Sequence, residues 1–120
     1  MGQDNPEPQP LSDAEYARRA AEALAAIEAT VDRLLQEDVI DIDAERTGGL
    51  LELVFPDDSR IVVNTQPPLH ELWLAARSGG HHFRASAEGW VDTRDGREFF
   101  AVLSACASEQ AGHALRFAPG

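Results

Sequence analysis

The stretch SDAEYARRAAEALAAIEATVDRLLQEDVIDIDAE, residues 12–45, changes its hydrophobic period once, and that change decides the fold. Tyr16, Ala20, Leu24, Ile27, Val31 and Leu34 recur at steps of three and four, which draws a single apolar stripe along a helix. Ser12 and Glu15 have capping-box spacing at its start, and Leu11 can staple onto Tyr16, so the helix is predicted from Ser12 to about Gln36. From Val39 the period drops to two: Ile40, Ile42 and Ala44 fall on one side, Val39, Asp41, Asp43 and Glu45 on the other. A strand therefore follows the helix.

Working outward, Gly48-Gly49 reads as a turn into a strand Leu50–Phe55, and Asp57-Asp58-Ser59 as a turn into Arg60–Asn64. Such short links imply antiparallel hairpins. Pro67-Pro68 interrupts the ladder before further strands at Leu69–Ala76, His82–Ala87 and Trp90–Thr93. A second helix is predicted from about Arg97, with capping spacing from Asp95 to Glu98, apolar Phe99, Phe100, Leu103, Cys106 and Ala107, and Gly112 past its end. Helix, strand meander, helix is the order of an α+β two-layer sandwich, with two helices packed on one face of an antiparallel sheet. The other face is left to solvent or a partner. Residues 1–10 carry three prolines among polar residues and read as a disordered tail, so 11–120 is expected to be the one domain.

Composition narrows the function. The chain of 120 residues has a formal charge of −11, which excludes a phosphate-neutralising nucleic-acid surface and favours cations or basic protein patches as partners. All ten basic residues are arginines; without lysine there is neither a Walker-type phosphate loop nor a Schiff base. A single cysteine, Cys106, excludes an intrachain disulfide and a multi-thiolate metal site, and it is expected to be a small buried hydrophobe on the second helix. No run is apolar enough to span a membrane, and a cytoplasmic location is the expectation.

The charge is concentrated. Between Asp13 and Glu45 ten acidic residues face only Arg18, Arg19 and Arg33, a net of −7. Early in the helix the acids have partners four residues away, Glu15 with Arg19 and Arg18 with Glu22. Glu28 and Asp32, by contrast, are like charges at that spacing with no base to relieve them; Glu37 and Asp38 continue the run, and Asp41, Asp43 and Glu45 share one face of the strand. Two readings stay open. The acids keep an edge strand soluble and unpaired, or they form a ridge of carboxylates that collects a hard cation with water completing its shell.

The run Asn64-Thr65-Gln66-Pro67-Pro68-Leu69-His70-Glu71-Leu72-Trp73-Leu74-Ala75, with Gly79-Gly80-His81-His82-Phe83 and Trp90 behind it, resembles the signature of the frataxin family in its bacterial, CyaY-type form. The resemblance extends from Leu11 to Phe117 and takes in the acidic first helix and strand, Gly48-Gly49 and Glu109-Gln110-Ala111-Gly112. It implies the same sandwich, and weak surface binding of iron, ferrous or ferric, with other hard divalent cations accepted. It also implies docking on cysteine desulfurase and the iron–sulfur scaffold protein. By position, the metal ridge would be Glu28, Asp32, Glu37, Asp38, Asp41, Asp43 and Glu45. Arg33 and the Leu34-Leu35-Gln36 segment depart from the more acidic pattern of bacterial relatives and imply fewer or weaker iron sites.

Strand period places Glu71, Trp73 and Ala75 on the uncovered sheet face beside Asn64, Val62 and Val54. Trp73, flanked by the amides of Asn64 and Gln66, is expected to bind the partner. Trp90 is expected in the core, and His70, His81 and His82 in structural or exposed roles ahead of metal ligation. No nucleophile–base pair or cleft is legible, so a non-enzymatic protein is expected, with weak ferroxidase activity, or a metal-free regulator of the desulfurase, as the alternatives. A monomer is expected, with metal-driven oligomers left open.

Overall fold

In the computed structural model, which describes residues 11–87 and 89–120, the period-3.6 stripe forms α1, Asp13–Gln36. Its start is the expected capping box: the Glu15 amide donates to Ser12 Oγ at 3.0 Å and the Ser12 amide to the Glu15 carboxylate at 3.4 Å. All six stripe residues are buried, joined by Ala23, Ala26 and Thr30. Because Glu15 is spent on the cap, Arg19 does not pair with it. Its guanidinium instead donates to the Ser86 and Gly89 carbonyls and lies 5.6 Å over the Trp90 ring, tying the helix to the far end of the sheet. The expected disordered segment, residues 1–10, lies outside the described residues.

Six strands follow, β1 Asp43–Thr47, β2 Leu50–Val54, β3 Arg60–Gln66, β4 Glu71–Ala76, β5 Gly79–Ser86 and β6 Gly89–Asp92, and they pair antiparallel in chain order. Helix α2, Phe99–Ala111, ends at Gly112 in the left-handed conformation. Leu24, Ile27, Leu51, Leu53, Ile61, Val63, Leu72, Leu74, Phe83, Phe99 and Leu103 fill the layer between helices and sheet. Each such side chain contributes about 1.5–3 kcal/mol on leaving water. Phe83, Phe99 and Phe100 meet edge to face at 5.0 Å. Trp90 and Cys106 are buried, as expected.

Several boundaries differ from the sequence reading, among them the start of β5, which lies at Gly79 and not His82 because Gly79 and Gly80 already pair with Ala76 and Ala75. The first strand begins at Asp43 and not Val39, because the chain must first leave the helix: the Val39 amide donates to the Leu34 carbonyl and the Asp38 amide to Leu35, with Asp38 left-handed at φ 62°. This is a Schellman turn with aspartate where glycine is usual. Pro67–Leu69 forms a 3-10 turn, so β4 starts at Glu71. Glu98, not Asp95, caps α2, accepting from the amides of Phe100 and Ala101, while Asp95 turns back to Arg97.

Candidate functional site

Residues paired across an antiparallel ladder share a face. Ala44 lies opposite Leu53 and Arg46 opposite Leu51, so both look toward the helices; Asp43 opposite Val54 and Glu45 opposite Glu52 look the other way. The acidic ridge is thereby split by its own strand. On the helix side, Arg46 reaches Glu28 at 3.1 Å and relieves the Glu28/Asp32 repulsion that helical spacing alone leaves standing. Arg33 pairs with Glu37 at 3.4 Å. On the sheet side, Asp43 and Glu45 join the open face, where Glu52 is held by Arg60 at 2.9 Å.

Asp32, Asp38 and Asp41 are exposed on the helix and the turn that follows it. Among the described residues no group of three or more Asp, Glu, His or Cys side chains is close enough to hold a metal ion. The acids are thus separate carboxylates, able to take a cation one or two at a time with water.

The open face is laid out in rows. Leu50, Asn64, Trp73 and His82 form one, Gln66, Glu71 and Arg84 the next. The register therefore brings Asn64, Gln66 and Trp73 together on adjacent positions. Trp73 is half-buried, and its orientation is held from two sides: the indole N–H donates to Glu71 Oε1 at 2.8 Å, and the His82 ring stacks on it at 4.0 Å, 6° from parallel. Glu71 is itself buried, with Arg84 Nη2 at 3.8 Å from its other oxygen.

The turn carrying Gln66 is clasped from below. The Tyr16 hydroxyl donates to the Glu71 carbonyl at 2.7 Å and accepts from the Gln66 amide at 3.0 Å. His70, left-handed at φ 53°, stacks on the Tyr16 ring and meets Asp13 at 2.7 Å. Tyr16 titrates above its usual value chiefly because burial disfavours the phenolate.

Sequence reasoning missed Arg46, His82 as a stacking partner, and Asp92. Asp92 is buried where β6 leaves the sheet and accepts from the amides of Arg94 and Asp95 and from His81 Nδ1 at 3.2 Å. Burial alone would raise its pKa; those hydrogen bonds outweigh it and hold the carboxyl below the usual value. An Asp followed by Thr93-Arg94-Asp95-Gly96 was a legible Asx-turn signal. The stacking of His82 on Trp73 needed the β4–β5 register.

The described residues thus build an α+β sandwich with an acidic first edge and an open sheet face centred on one tryptophan held from two sides. Its family is equally plain: a frataxin-like domain model matches residues 9–113, and the chain belongs to the frataxin family. It is 51% identical over 108 residues to the iron-sulfur cluster assembly protein CyaY of Variovorax paradoxus, covering 90% of this chain and 98% of that one. With the CyaY of Cupriavidus necator the identity is 48% over 88% of this chain and 96% of the relative. Among solved structures, frataxin from Psychromonas ingrahamii superposes with a TM-score of 0.78 at 33% identity, covering 89% and 98% of the two chains. A trimeric yeast frataxin in a ferrous complex shares the fold, with a TM-score of 0.66 at 24% identity over 89% of this chain and 92% of that one.

Proposed function

We propose that the protein is an iron-binding accessory factor of iron–sulfur cluster assembly, which carries iron on its acidic edge and docks through its open sheet face on the scaffold protein and cysteine desulfurase. The role in cluster assembly is supported by the names of its relatives in Variovorax and Cupriavidus. The observation that carries the two-surface reading is the division of β1: Asp43 and Glu45 stand on the same face as Asn64 and Trp73, so carboxylates able to hold a cation border the docking surface. Iron on Glu28, Asp32, Glu37, Asp38, Asp41, Asp43 or Glu45 is cargo, held by exposed carboxylates and water and released without dismantling a buried site.

A second reading is favoured by the Glu28–Arg46 and Glu37–Arg33 pairs: two of the seven acids already have cationic partners, as acids would that serve to recognise arginines on another protein. Amide NMR titration of the labelled protein, first with a divalent ion and then with the desulfurase, separates the two. Selective shifts or broadening between residues 28 and 45 with metal, extending to Trp73 with the partner, are expected. A ridge left unmoved by metal but perturbed by the desulfurase withdraws the iron role.

A further inference from the structure

We propose that the open sheet face carries a preformed anchor pocket for one aliphatic side chain of a protein partner. The proposal rests on the docking reading above and names what the face grips. Beside Trp73 lies a recess of about 230 Å³, lined by Val62, Asn64, Trp73, Ala75, Gly80 and His82. It arises where two rows of unequal bulk adjoin: Val62, Ala75 and Gly80 cross the face side by side, next to Asn64, Trp73 and His82. Ala75 and Gly80 leave a notch, and the indole forms its wall.

The wall is fixed before any partner arrives. The Glu71 carboxylate holds the indole N–H and His82 covers the ring, so docking loses little rotamer freedom at Trp73. The recess is smaller than the roughly 300 Å³ at which small-molecule sites begin. Its apolar lining and size suit a single Leu, Ile, Val or Met side chain, the usual complement of an aromatic hot spot. Around it, Asp43, Glu45, Glu52 and Glu71 outnumber Arg60 and Arg84 on the same face, so basic residues are expected to flank the anchor on the partner.

Gly80 offers a way to plug the pocket without disturbing the fold. Its backbone is not left-handed, and an added Cβ would meet only the Leu74 carbonyl oxygen, at an ordinary 3.8 Å. A β-branched residue suits a strand. Gly80→Val is expected to keep or raise the melting temperature and to weaken binding of the scaffold protein and desulfurase at least tenfold by calorimetric titration, with Gly80→Ala intermediate. Glu71→Ala should weaken binding, and Glu71→Gln, which keeps an acceptor for the indole, should restore it. If Trp73→Ala weakens binding while Gly80→Val binds like the natural protein, the pocket is empty in the complex and the proposal is overturned, with the docking reading intact. If Trp73→Ala also binds normally, the docking reading falls and the pocket with it. Should Gly80→Val lower the melting temperature, Ala75→Val fills the same notch from β4 and decides by the same comparison.

Discussion

Replacing Tyr16 with phenylalanine should cost far more than the loss of one oxygen suggests. The ring would remain, stacked on His70 at 4.9 Å and edge-on to Trp90 at 5.9 Å, so packing is nearly conserved. The hydroxyl, however, serves two backbone groups at once, the Glu71 carbonyl and the Gln66 amide, on either side of the Pro67–Leu69 turn. A buried polar group left without a partner costs about 1–3 kcal/mol. Glu71 is buried and bears the full penalty, whereas half-buried Gln66 can recover part of its bond from water. The sum is about 2–4 kcal/mol for Tyr16→Phe. At roughly 4 °C per kcal/mol for a domain of this size, the melting temperature should fall by about 8–16 °C. Thermal unfolding followed by far-ultraviolet circular dichroism measures this, and amide hydrogen exchange at Gln66 should accelerate. A fall of less than about 2 °C, with Gln66 still protected, would refute the clasp. The sign with pH gives a second check. Burial raises the native pKa above the ordinary 10.0, so the unfolded chain ionises first and stability declines as pH rises past 10. Tyr16→Phe should lose that contribution to the alkaline decline.

Asp92 acts at the other end of the pH scale. Its native pKa lies below the ordinary 3.8, so its contribution is complete above that value and disappears as pH falls through the native one; Asp92→Asn should flatten the acid limb of a stability–pH profile and lower the melting temperature at pH 7. Asp38→Gly should raise stability by about 0.5–1 kcal/mol, because glycine occupies the left-handed position of the Schellman turn without a Cβ penalty; an unchanged denaturant midpoint would contradict this. A divalent cation at a hundredfold excess over its dissociation constant should stabilise the fold by about 2.7 kcal/mol for a single site, and a melting temperature that does not move under saturating cation would count against the ridge.

The sequence by itself determined the layers and the order of elements. The stripe from Tyr16 to Leu34 allowed only a helix with one buried face, and the alternation after it, broken by Gly48-Gly49 and Asp57-Asp58-Ser59, allowed only an antiparallel meander, since both periods follow from backbone geometry within a few residues. The side of the sheet on which Trp73 stands was legible for the same reason. Long-range pairing was not. Alternation already set Arg46 on the side of Ala44 and Asp43 with Glu45 on the other; that Arg46 would find Glu28 at 3.1 Å depends on β1 running beside the second half of α1. That His82 would lie on Trp73, with Gly80 opening a notch beside it, depends on the β4–β5 register. The clasp from Tyr16 to Gln66 and Glu71 joins residues at least 50 positions apart. Local periodicity carries no information across such distances, because these contacts arise only when the helix layer closes on the sheet.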